Sequence, residues 1–110
     1  MIGRFAKVVS HLHNHYGEPI ATPALAGMAG ISESQFNRRF RQAFGTSARQ
    51  YLLQIRVDAA VRKLQESNET VSTIALDCGF HDHAHFSRSF QRIMHCSPSD
   101  YRKRIDSILG

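Results

Sequence analysis

Tryptophan is absent from the 110 residues, cysteine occurs twice and proline three times. Cys78 and Cys96 lie eighteen positions apart with no CxxC spacing, so neither a disulfide scaffold nor a metal knuckle is expected. A reducing cytoplasm is the compartment that suits two free thiols. No apolar run approaches the roughly 18 residues a membrane helix needs, and no opening stretch reads as a signal peptide. A phosphate-cradling glycine loop, GxSxG and HExxH are also missing, which argues against an enzyme. Sustained strand alternation is nowhere found, which argues against a sheet.

What is present is a small, basic chain. Its length suits one compact domain or two very small subdomains. A hydrophobic share of 42% suffices for a core. Fourteen Lys and Arg against nine Asp and Glu leave a net charge of +5, with a pI near 9.8. Eleven of the fourteen cations are Arg, whose planar fork suits phosphate and guanine. The balance points to a polyanionic partner; the plainer alternative is a cationic domain without one.

Apolar residues recur at helical spacing almost throughout. Phe5, Val8, Val9, Leu12 and Tyr16 predict a first helix stopped by Gly17. Thr22 and Pro23 read as a cap followed by a first-turn proline, opening a short helix from Pro23 to about Ala29. Ser32 to Gln35 reads as a capping box for a helix from Glu33 to Phe44, stopped by Gly45. Ser47 can cap a long helix to about Glu66, and Thr70 one to Cys78, where Gly79 turns the chain. Further helices are expected from about Asp82 to Met94 and from Ser97-Pro98 to about Ile108. The fold class read from this pattern is all-α, with about seven helices.

A shift of fifty residues superposes Phe36 on Phe86, Arg38 on Arg88, Phe40 on Phe90, Ser47 on Ser97 and Tyr51 on Tyr101. Just upstream, a shift of forty-nine brings Ala26 onto Ala75 and Gly30 onto Gly79, so the second turn is one residue longer. The repeated unit is short helix, glycine turn, longer helix, which is the layout of a major-groove reader. On a helical wheel Phe36, Phe40, Ala43 and Phe44 form a core face. Ser34, Arg38, Arg41 and Gln42 point away, with Gln35 and Asn37 on the flanks. In the second copy Phe86, Phe90, Ile93 and Met94 face inward, Ala84, Arg88, Gln91 and Arg92 outward, and His85 and Ser87 sideways. Arg forks onto guanine and Asn or Gln onto adenine, so these faces read as base-reading surfaces. A merely solvated basic face explains one copy more easily than two. Glu33 and Asp82 are both assigned to a first turn, where they suit the helix dipole.

The helix between the repeats spans about nineteen residues, roughly 28 Å at 1.5 Å each. Major grooves on one face of DNA repeat about every 34 Å. From about Thr22 to Arg104 the chain resembles the DNA-binding domain of the AraC/XylS family of bacterial transcription regulators. The residues that carry the likeness are Ile31 to Phe40, then Tyr51, Leu52, Arg56, Ala60 and Leu64, then Ile74-Ala75, Gly79-Phe80, Phe86-Ser87-Arg88, Phe90, Ser97-Pro98 and Tyr101-Arg102. The resemblance implies two helix-turn-helix subdomains joined by a long linker helix: about 5–45, 47–66 and 70–108 of a single domain over 1–110. It implies binding to bent double-stranded DNA through two recognition helices in adjacent major grooves, and activation by contact with RNA polymerase. Carried over by position, base-facing residues are Ser34, Asn37 and Arg38, and His83, Ala84, His85 and Arg88. With the outward faces, the candidate interface is Ser34, Gln35, Asn37, Arg38, Arg41 and Gln42, and His83, Ala84, His85, Ser87, Arg88 and Arg92. Ala48 stands where the family often has Pro, and His95 where it often has Gly, and only local effects are expected of either. Family members usually carry a sensing or dimerisation domain, so the chain reads as the DNA-binding part of a longer regulator rather than a stand-alone one. The alternative from another class is a helical module that binds an acidic protein.

The seven histidines include two alternating runs, His11-His13-His15 and His81-His83-His85. Helical neighbours two apart point about 200° apart, so three cannot converge, and neither a metal nor another cofactor is expected. The first run reads as the solvated flank of a helix and the second as turn and recognition-helix residues near DNA. Cys78 reads as a small core residue beside Ile74 and Ala75.

Overall fold

Short polar side chains meet the free amides at most helix starts. Ser32 Oγ accepts the Gln35 amide at 3.3 Å, and the Gln35 side chain accepts the Ser32 amide in return. Ser47, Thr70 and Ser97 accept the amides of Gln50, Thr73 and Asp100, each at 3.1 Å. Asp82 accepts two, from Ala84 at 2.8 Å and His85 at 3.4 Å. Each such cap contributes about 1 kcal/mol.

A computed structural model of the chain describes residues 2–109, without the side chain of Ile2. The outermost positions of the expected domain, Met1 and Gly110, lie outside the described residues. A 3-10 turn, Ile2–Phe5, leads into α1 (Ala6–Asn14), α2 (Thr22–Ala29), α3 (Glu33–Phe44), α4 (Ala48–Glu66), α5 (Val71–Asp77), α6 (His83–Met94) and α7 (Pro98–Leu109). All regular structure among the described residues is helical.

Four boundaries differ from those the sequence predicts. α1 ends at Asn14 with His15 as its cap, not at Gly17. Tyr16 keeps its place in the helical spacing because it packs on the core after the chain has left the helix. α2 begins at Thr22 with Ala21 as its cap residue and no side-chain cap bond, so Thr22 is not a cap. Pro23 lies in a first turn that needs no amide hydrogen bond, so Thr-Pro fits either frame. α5 ends at Asp77, one residue short, with Cys78 as its cap. Asp82 caps α6 rather than entering its first turn.

The chain divides into two compact units that meet between Ile55 and Arg56, inside α4. In the first, Phe5, Val8 and Leu12 bury against Leu25, Ala26, Phe36, Phe40, Ala48, Leu52 and Ile55. Phe5 meets Phe36, Phe40 and Phe44 edge-on, with centroids 5.6–6.0 Å apart. In the second, Val57, Ala60, Leu64, Ile74, Ala75, Cys78, Phe80, Phe86 and Phe90 are buried. Phe86 lies 5.0 Å from Phe80 and 5.8 Å from Phe90.

The turns before α3 and α6 close alike. The Ile31 amide donates to the Ala26 carbonyl, and the Phe80 amide to that of Ala75. Gly30 and Gly79 adopt φ of 71° and 96°, open to glycine at little cost. The extra residue of the second turn falls between Phe80 and the cap Asp82: it is His81.

Candidate nucleic-acid interface

α3 buries Phe36 and Phe40 and turns the opposite face outward. Ser34, Asn37, Arg38, Arg41 and Gln42 are exposed there. Gln35 is half-buried, and its carbonyl oxygen is occupied by the capping box. On α6, His83, Ala84, Arg88, Gln91 and Arg92 are exposed, while His85 and Ser87 are half-buried. The His85 ring meets Phe80 edge-on at 5.5 Å, so part of it belongs to the packing. Among the described residues no acidic side chain pairs with Arg38, Arg41, Arg88 or Arg92. Their guanidinium donors are therefore available to an outside acceptor. Arg39 is half-buried to the side.

Charge is shared unequally. Up to Ile55 the chain holds six Lys and Arg against two Asp and Glu, a net +4; from Arg56 it holds eight against seven, a net +1. The first unit therefore presents the stronger lasting field to a polyanion.

Some of the residues that position these helices were not singled out by pattern. Tyr51 packs edge-on against Phe40 and Phe44, and its hydroxyl lies 3.1 Å from His13 Nε2. His13 is thus not a simply solvated flank residue. Tyr101 packs on Phe90 and accepts a 2.6 Å bond from Gln65. Arg102 donates to the backbone carbonyls of Ser67 and Glu69, pinning the connection between α4 and α5 onto α7. The two tyrosines stand out in the repeat; their partners do not, because His and Gln share no letter in an alignment.

His11 and His15 stack at 4.7 Å, and His15 Nδ1 meets the Glu18 carboxylate. His81 lies in a bend ahead of the Asp82 cap, so His81 to His85 is not one continuous helix. Among the described residues no group of three His, Cys, Asp or Glu is placed to hold a metal ion. Burial pushes the Cys78 thiol up to about 11, only partly offset by Lys63, so it stays protonated and a poor nucleophile near neutrality. Burial likewise lowers Arg56 from its ordinary value. Among the described residues no helix is long and apolar enough to cross a membrane.

Two outward basic faces, each following a capped glycine turn, define a helix-turn-helix protein, and a helix-turn-helix domain model matches residues 25–104. The chain belongs to the DNA-binding domains of the AraC/XylS family of transcription regulators. It is 33% identical over 106 residues to the transcriptional activator RhaS of Klebsiella pneumoniae, covering 96% of this chain and 38% of that protein. The chain thus spans well under half the length of the relatives it matches. The DNA-binding domain of the global transcriptional factor AdpA, solved with a target DNA, superposes with a TM-score of 0.91 at 32% identity, covering 96% of both chains. An AraC-type regulator from Chromobacterium violaceum superposes at 0.85 with 29% identity, covering 94% of this chain and 93% of that one. Family and fold are those of DNA-binding transcription regulators rather than enzymes.

Proposed function

We propose that the chain binds double-stranded DNA sequence-specifically, as the reading part of a bacterial transcription activator, with α3 and α6 entering adjacent major grooves. The observation that carries this reading is the repeated exposure of Arg without an acidic partner, beside Asn, Gln and Ser, on the face opposite buried phenylalanines. Arg38 and Arg88 are the guanine-reading candidates, and Asn37 the adenine reader. Ser34, Gln42, Ala84 and Ser87 complete the two reading faces, with Gln35, His83 and His85 at their edges. Arg41 and Arg92 lie about one turn past Arg38 and Arg88 and suit phosphate. Ala84 offers only a methyl, which fits a thymine methyl or a weaker reading position. RNA polymerase is the partner an activator requires, and a sensing or dimerisation domain is expected outside these residues. The cytoplasm is the proposed site of action. No catalytic role is proposed, nor any metal or cofactor.

Selection of bound duplexes from a random pool, followed by anisotropy titration, tests this reading. A recovered site bound at least about 10³-fold more tightly than random duplex is the expected result. Equal binding of all duplexes together with tight capture of an acidic polypeptide would favour the protein-interaction alternative. One residue inserted between Ile55 and Arg56, where the two units divide within α4, turns the rest of that helix by about 100° and advances it about 1.5 Å. If both units must engage together, this insertion loses nearly as much affinity as deleting the second unit. A folded insertion variant that keeps parental affinity would refute paired reading.

A further inference from the structure

The reading end of α6 is built from histidine, and that of α3 is not. By the repeat, His83 stands at the place of Glu33 and His85 at that of Gln35, while His81 has no counterpart. His81 and His83 are exposed and line the same shallow hollow with Ser72, Ala75, Leu76 and Phe80. His85 is held against Phe80 one step along the helix. Three imidazoles thus gather at the start of the recognition helix, in the unit with the smaller lasting charge.

We propose that DNA binding by the second unit is coupled to proton uptake, with His81, His83 and His85 acting as cations toward phosphate oxygens of the bound duplex. This rests on the DNA-binding reading above and adds a regulation to it: affinity rises as pH falls through the range where histidine titrates. The elements around the three rings carry few charges. The lining that α5 contributes to the hollow, Ser72, Ala75 and Leu76, carries no charge. Asp77, also on α5, lies 4.0 Å from Lys63. Asp82 is the one carboxylate of the turn, and it already accepts the amides of Ala84 and His85. A phosphate brought close favours the charged form of an imidazole. More protons are then bound in the complex than in the free chain near neutrality, so acid favours the complex. Once all three rings are charged in both states, the gain stops. Full protonation of the three takes the second unit from +1 to +4, the lasting charge of the first.

The remaining histidines lack this setting. His13 is engaged with Tyr51, His15 with Glu18, and His11 is stacked on His15. His95 caps the far end of α6, about 18 Å along the helix from His83.

Anisotropy titrations of the whole chain on its selected duplex, at fixed salt between pH 8 and pH 6, test the coupling. Affinity should rise about tenfold or more as the pH falls, and the salt slope should steepen by about 0.9 for each new phosphate contact. H81Q/H83Q/H85Q should flatten both changes, while H11Q/H15Q keeps the parental profile. Should the triple variant melt early by circular dichroism, H81Q/H83Q, altered only at exposed positions, decides the matter by losing most of the gain. A parent whose affinity is the same at pH 8 and pH 6, or an H81Q/H83Q or H81Q/H83Q/H85Q variant that retains the full gain, would overturn the proton coupling and leave the DNA reading standing. Absence of duplex binding at both pH values would overturn both.

Discussion

The two units use one frame and fill it differently. The repeat continues upstream with a shift of fifty-two: Phe5 corresponds to Val57, Val8 to Ala60, Leu12 to Leu64 and His13 to Gln65. All eight except the two hydrogen-bonding residues are buried. The C-terminal part of α4 therefore does for the second unit what α1 does for the first. Phe5 supplies bulk from the covering helix, where Val57 is smaller. In the second unit Phe80 supplies it from the turn, where Ile31 is smaller. Both cores need dense packing, but either element can deliver the ring. His13 and Gln65 reach equivalent tyrosines with different chemistry. What persists is a donor or acceptor at a given place, not a residue type.

Exchanging bulk between the units breaks this comparison most strongly. Phe5→Ala and Phe80→Ala should each cost about 3–5 kcal/mol, because a fully buried ring is lost without a neighbour to replace it. Hydrogen exchange should locate the first loss in α1–α3 and the second in α5–α7. Equal loss of protection in both units from either variant would refute their separate cores.

Arg38→Ala and Arg88→Ala should each cost about 1–3 kcal/mol on the selected duplex and relax preference at one base pair. Arg39→Ala should weaken all duplexes about equally. An Arg38→Ala variant that binds its site as tightly as the parent would show that α3 does not read bases through this face.

The smallest expected effects are opposite in sign. His95, at φ 63°, takes the left-handed cap position that Gly45 takes at φ 74° after α3. His95→Gly should therefore stabilise by about 0.5–1 kcal/mol, and Gly45→His should destabilise by a similar amount. Urea midpoints measure both. A destabilised His95→Gly variant would mean that the imidazole makes a favourable contact outweighing its backbone strain.

Elements of the fold that rest on local chemistry were legible in the sequence. Ser32 with Gln35, Gly45 and Thr70 announce helix ends through bonds that span three or four residues. The phenylalanine faces of α3 and α6 follow from periodicity alone. What could not be read involves residues distant in the chain. His13 meets Tyr51 across 38 positions and Gln65 meets Tyr101 across 36, with no shared letter to mark them. Arg102 carries part of the family likeness, but no local pattern shows that it holds the carbonyls of Ser67 and Glu69. The outward placement of Arg38 and Arg88 followed from the wheel. The half-buried settings of Gln35 and His85 did not, because a wheel shows direction and not the neighbours that close around a flank.

Residues Ala48–Ile55 of α4 close the first unit and Arg56–Glu66 open the second, so seven helices furnish two bodies of four. A fragment cut after Glu66, where the helix visibly stops, would strip the buried Val57, Ala60 and Leu64 from the second body. The natural place to divide the molecule lies in mid-helix, where the backbone is most regular and no loop marks the seam. Gene fusions that respect visible helix ends would therefore inherit half a core, and an array lengthened by one more body would need only three new helices and an extension of α7.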